Sequence, residues 1–121
     1  HVRHAAPYYV IPPWFATIEQ LSPGGEVGPW TDLYAIGSTI GACIEGTPPP
    51  PAPTRLEKDT MRPVANAFKK KYSAELLEAI DWAMEVDPML RPQKVEQLLS
   101  KLKSIESLSQ NNSRKEAEWV R

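Results

Sequence analysis

Residues Thr31–Glu45 read TDLYAIGSTIGACIE, and this stretch decides the fold. Leu33, Ile36, Ile40 and Ile44 recur at helical spacing, with Tyr34 and Ala35 beside them; nothing in the stretch alternates as a strand would. Thr31 is a good N-cap, and Asp32 puts a negative charge in the first turn, where the helix dipole favours it. Gly46 and the prolines after it end the helix. Gly37, Ser38, Gly41 and Ala42 leave one side nearly flat. Two interior glycines each weaken a helix by about 1 kcal/mol relative to alanine, so a neighbouring element must approach closely to offset the loss. The stretch reads as a fully packed, central helix.

Downstream, residues 47–71 form a long proline-rich connection with one short helix over Val64–Lys71. Ser73 then caps a strong helix, Ala74–Val86, whose Leu76, Leu77, Ile80, Ala83 and Met84 make one apolar stripe. Asp87-Pro88-Met89-Leu90-Arg91-Pro92 is a turn, and a third helix begins near Pro92, a residue tolerated at the first helical position. Its stripe is Val95, Leu98, Leu99, Leu102 and Ile105. Beyond Leu108 the chain turns polar and frays or leads into a linker. Upstream, residues 1–30 hold five prolines and no helical period, apart from one turn near Ala16–Leu21. The expected fold class is all-α.

The chain has 121 residues, 41% hydrophobic and 24% charged, which suits one globular core and is too little for two. A net charge of −1 gives no overall pull towards nucleic acid or an anionic membrane. The one cysteine, Cys43, has no intrachain partner, which points to a reducing compartment and a cytoplasmic location. The apolar stretch between Asp32 and Glu45 is shorter than the ~20 residues of a membrane span, and no signal peptide opens the chain. The 13 prolines fall between segments, as punctuation.

Three motifs carry a resemblance to the protein-kinase catalytic domain. Phe15-Ala16-Thr17-Ile18-Glu19-Gln20 resembles the end of the activation segment, in the form aromatic-Ala-Pro-x-Glu-Gln of bacterial-type Ser/Thr kinases. Asp32-Leu33-Tyr34-Ala35-Ile36-Gly37 looks like the Asp-x-aromatic-x-x-Gly that opens the central helix of the lower lobe. Asp87-Pro88-Met89-Leu90-Arg91-Pro92 looks like the Asp-Pro-x-x-Arg-Pro turn before the last helix. The order is right, and the resemblance covers residues 8–103.

The resemblance implies a C-terminal (helical) lobe portion of the kinase fold behind an extended N-terminal loop segment. Residues 1–30 would be the end of the activation segment and the substrate-side loop, 31–103 the helical core, and 104–121 a polar tail or linker. It implies a buried ion pair of Glu19 with Arg91, where the planar fork of arginine suits a carboxylate. It gives Asp32 the role of accepting backbone N–H bonds from the catalytic loop, Gly37 that of close helix packing, and Asp87 the head of the turn. Pro13, Trp14, Phe15 and Ala16 would lie in the substrate-side loop.

The glycine-rich loop, the nucleotide lysine, the His-Arg-Asp loop and the Asp-Phe-Gly motif all precede the activation segment and are absent from these residues. No catalytic, cofactor-binding or metal residue is expected here; ATP and Mg are implied for the parent kinase, with a protein substrate. Two positions depart from the family. Pro12 stands where many Ser/Thr kinases have threonine, and Thr17 where the motif has proline, which leaves open a pseudokinase or partner-binding module without catalysis.

Plainer readings stand beside several features. Trp14 and Phe15 are equally loop anchors on the core or part of a substrate groove. The run Pro48–Pro51 is a stiff connector rather than a polyproline ligand, and Lys69-Lys70-Lys71 a solvated face rather than a dock for an acidic partner. His1 and His4 lack ligand spacing. Gly37 and Gly41 match a small-xxx-small membrane pattern, but tight soluble packing accounts for them better. With upstream elements missing, the central helix would be partly uncovered, so the truncated chain is expected to self-associate or to be marginally stable.

Overall fold

A computed structural model describes residues 12–103; the expectations for His1 and His4, for Ile105 and for the tail 104–121 fall outside them. The regular elements among the described residues are all helical, with no strand: α1 (Ile18–Leu21), α2 (Pro29–Glu45), α3 (Ala52–Glu57), α4 (Val64–Ala67), α5 (Ala74–Ala83), a short 3-10 turn (Pro88–Leu90) and α6 (95–103). No helix among them is long and apolar enough to cross a membrane.

The axis of the fold is α2 packed on α5, with α4 also against α5. Tyr34, Ala52, Val64, Leu77, Ile80 and Met84 form the core. Gly37 and Gly41 are what let the two helices meet. A Cβ built on Gly37 would lie 3.0 Å from both Ala83 Cβ and Met84 Cγ, and one on Gly41 would lie 3.3 Å from the Met84 sulfur. The close approach expected from the flat face is thus made by α5.

The face of α2 that carries Ile36 and Ile40 is only partly covered, contrary to the reading of a fully packed helix. Ile36 is 48% and Ile40 39% exposed, and Cys43 is exposed in line with them. Leu33, Tyr34, Ser38 and the two glycines are buried, so the helix is central on one side only.

The boundaries shift for identifiable reasons. Helix α2 starts at Pro29, two residues before the expected cap, because proline suits the first helical position. Thr31 is therefore inside the first turn, where its hydroxyl accepts the Gly28 N–H at 3.2 Å. Helix α3 falls within the expected proline-rich connection; Pro51 and Pro53 lie in its cap and first turn, where proline is permitted. Helix α4 ends at Ala67 rather than Lys71, and its first two N–H groups are held from α5 by Asp81, Val64 at 2.9 Å and Ala65 at 3.0 Å. Ser73 caps α5 by accepting the Leu76 N–H, but that helix stops at Ala83.

Helix α6 begins three residues after Pro92, because the side chain of Gln97 takes the backbone N–H of Gln93 at 2.6 Å and that of Lys94 at 3.3 Å. Its stripe is only partly covered. Leu98 and Leu102 are half-buried, while Val95 and Leu99 are each 47% exposed.

Candidate functional site

Three pieces of the chain converge on Arg91: the α1 turn, the start of α2 and the residues that follow α5. Thr17 starts α1 as a true capping box: its hydroxyl accepts the Gln20 N–H at 3.3 Å, and the Gln20 side chain accepts the Thr17 N–H at 3.0 Å. Where the family motif has proline, this threonine supplies a helix cap. The cap fixes the turn that carries Glu19 inward. The loop after α1 folds back so tightly that a Cβ on Gly25 would lie 2.0 Å from the Glu19 carbonyl oxygen. Only glycine fits there.

From the other end, Asp87 accepts the Met89 N–H at 2.9 Å and sets the 3-10 turn, after which Arg91 points back into the protein. Its guanidinium meets the Glu19 carboxylate fork to fork, Nη1 to Oε2 at 2.6 Å and Nη2 to Oε1 at 3.1 Å. The remaining N–H groups go to backbone carbonyls: Nε to Glu85 at 2.6 Å, Nη1 to Trp30 at 3.3 Å and Nη2 to Val86 at 2.9 Å. All five guanidinium donors are thereby used. The Thr31 hydroxyl donates to Glu19 Oε2 at 2.8 Å. The ring of Tyr34 lies 4.8 Å from the guanidinium carbon, a cation–π distance.

Arg91 is 2% and Glu19 6% exposed, so the pair is inside. Burial by itself would raise the Glu19 pKa. The hydrogen bonds from Arg91, its own backbone N–H and Thr31, with the charge of Arg91, outweigh it and hold the carboxyl below its ordinary value. The group is a carboxylate, fully partnered, with no spare lone pair aimed at a ligand. Its chemistry is structural: it ties the segment ending in α1 to the turn before α6.

The other expected positions divide. Asp32 is exposed on the first turn of α2 and does not join the cluster. Gly37 sits at the α2–α5 contact. In the N-terminal loop, Ser38 Oγ donates to the Trp14 carbonyl at 2.6 Å, and the Phe15 N–H bonds back to the Pro12 carbonyl at 2.9 Å. The rings of Trp14 and Phe15 meet edge to face with centroids 5.7 Å apart, both half-exposed. Pro13 is exposed and Ala16 buried. The loop is therefore anchored through its backbone, with its aromatic side chains partly open to solvent.

One buried group went unread in the sequence. Arg55 is 8% exposed; its Nη1 donates to the Tyr34 hydroxyl at 3.1 Å and the Met84 carbonyl at 2.7 Å. Asp59 receives Nε at 3.1 Å and Nη2 at 3.0 Å. Those bonds, led by the two from Arg55, hold the Asp59 carboxyl below its ordinary value despite partial burial. Tyr34 thus joins two arginines, one over its ring and one at its hydroxyl. The signal was an Arg–Asp pair four residues apart at the end of a helix.

No protein-family model matches the chain, and neither does any curated protein. Among solved structures, PpkA-294 in its apo form, a bacterial Ser/Thr kinase, superposes with a TM-score of 0.70 at 38% sequence identity. The match covers 76% of this chain and 32% of that one, so the chain spans about a third of its neighbour's length. The described residues are a kinase-like, all-helical unit with the fold of a C-terminal-lobe portion.

Proposed function

We propose that the chain is the part of a bacterial-type Ser/Thr protein kinase domain that runs from the end of the activation segment through the helical core. In that role Glu19 and Arg91 are the conserved-motif ion pair of the lower lobe, Asp32 and Gly37 serve the central helix, and Asp87 heads the last turn. Residues 12–30 supply the substrate-side loop, with Trp14 and Phe15 at its surface, and 31–103 the platform beneath it. The observation that carries the reading is the buried, bidentate Glu19–Arg91 contact, which joins two of the three motifs across 72 residues. The likeness to PpkA-294 supports it.

The complete domain transfers the γ-phosphate of ATP to protein hydroxyls, and this chain alone does not. The uncovered face of α2, running through Asp32, Ile36 and Ile40, is the seat of the upstream half, which carries the catalytic loop. On its own the chain self-associates through that face. The test joins the chain to its natural upstream sequence and measures phosphate transfer from ATP to a protein substrate, with the chain alone as control. Transfer by the joined protein only is expected. An upstream sequence lacking the nucleotide lysine and both aspartates, with no transfer, would favour the pseudokinase reading; transfer by the chain alone would overturn the proposal.

A further inference from the structure

We infer that a pocket beside the proline run receives one large apolar side chain from an extended segment of a partner protein, flanked there by a basic and an acidic residue. The inference stands apart from the kinase reading and uses none of its motif residues.

The pocket has a volume of about 180 Å³, with walls from Met61, Val64, Met84 and Pro48–Pro50. That is below the ~300–1,000 Å³ of ordinary small-molecule sites, and it suits a single anchoring side chain. The apolar walls are held by their backbones. The Met84 carbonyl accepts Arg55 Nη1 at 2.7 Å, the Met61 N–H donates to Asp59 at 3.1 Å, and the Val64 N–H donates to Asp81 at 2.9 Å. Proline fixes the fourth wall through its ring. A pocket shaped before binding loses little by ordering, and two methionines let it adjust to the anchor.

Two charges define what flanks that anchor. Glu45 and Arg62 line the pocket, both are exposed, and neither side chain has a hydrogen bond or ion pair among the described residues. They have opposite signs. A segment offering a base to Glu45 and an acid to Arg62 gains two pairings, whereas a uniformly acidic or basic segment gains one and meets repulsion at the other. In an extended backbone the residues two before and two after the anchor share its face, one on either side, which is the geometry two flanking charges need.

The test uses the full chain and a fluorescein-labelled heptapeptide with a Glu-Ser-Leu-Ser-Arg core, followed by anisotropy. Controls carry Glu-Ser-Ala-Ser-Arg or Ala-Ser-Leu-Ser-Ala cores. The inference expects saturable binding of the first peptide and binding at least about tenfold weaker for Glu-Ser-Ala-Ser-Arg, from loss of the apolar anchor. Glu45→Ala and Arg62→Ala, both at unpartnered surface positions, should each weaken binding about two- to fivefold. Thr47→Trp, at an exposed position on the rim, should abolish it. Circular dichroism of each variant checks that the fold is kept. Equal binding of the Glu-Ser-Leu-Ser-Arg and Glu-Ser-Ala-Ser-Arg peptides, or indifference to both charge variants, would overturn the inference. So would a concentration-dependent dimer in sedimentation that Thr47→Trp removes while no peptide binds, which would assign the pocket to a second copy of the chain.

Discussion

Replacing Arg91 with methionine removes five hydrogen bonds, two to Glu19 and one each to the carbonyls of Trp30, Glu85 and Val86. The stranded Glu19 carboxylate keeps the Thr31 hydroxyl, at 2.8 Å, but loses its counter-charge while 6% exposed. Breaking a buried pair from one side typically destabilises by about 3–5 kcal/mol. The orphaned carbonyls push towards the upper end, and water entering the gap pulls back. Domains of this size are stable by only about 5–15 kcal/mol, so the variant should be close to unfolding. Urea denaturation followed by circular dichroism reads this directly: at about 1–3 kcal/mol per molar, the midpoint should fall by about 2 M or the folded baseline should vanish. The double variant Glu19→Leu with Arg91→Met strands no charge. It should be less destabilised than the sum of the two single variants, with a coupling of about 2–3 kcal/mol. A loss below about 1 kcal/mol for Arg91→Met, or strict additivity in the cycle, refutes the reasoning.

Four further outcomes follow from the same structure. The carboxyls of Glu19 and Asp59 titrate below their ordinary values of 4.5 and 3.8, so their folded pKa lies under the unfolded one. Their stabilising contribution is full above the unfolded pKa and is lost as pH falls through the folded value. Urea midpoints at a series of pH values should therefore decline below about pH 4.5, and Arg55→Met should remove the Asp59 share. Tyr34→Phe removes the hydroxyl that Arg55 reaches but keeps the ring under Arg91, so it should lose about 1 kcal/mol in the same assay. Gly37→Ala gains helix propensity yet sets a Cβ 3.0 Å from Ala83 and Met84, and a net loss of about 1–2 kcal/mol in thermal melts is expected. Gly25→Ala collides with the Glu19 carbonyl backbone and should lower the melting temperature while also shifting the tryptophan fluorescence of Trp30, which packs at that loop.

The residues explain what the sequence could and could not reveal. Period and caps located α2 and α5, because each has a continuous apolar stripe and a clear start or stop. The proline-rich connection hid α3, since a proline at a helix start and a proline in a linker look alike until the next turn is seen. Thr31 was assigned to a cap, but its hydroxyl is used inside the first turn, between Gly28 and Glu19. That bond depends on a residue 12 positions away, and no local pattern contains it. The Glu19–Arg91 contact was legible only through the family motifs, because a separation of 72 residues leaves no periodic trace. Arg55 was overlooked for the converse reason. An arginine among prolines and charges reads as surface, and only the packing of α3 over Tyr34 takes it inside. The open face of α2 was misread as packed, since Ile36 and Ile40 carry the same pattern whether or not a neighbour covers them.

The claim at the centre of this account is that a buried pair ties the end of the activation-segment-like loop to the turn before α6. Titration of the Glu19 side-chain carboxyl by carbon-13 NMR, on the full chain, tests it most directly. A titration point clearly below 4.5, with the Arg91 guanidinium protons slow to exchange with water, is the predicted result. An ordinary titration near 4.5 with rapidly exchanging Arg91 protons would mean that both groups are solvated, and the pairing would be contradicted.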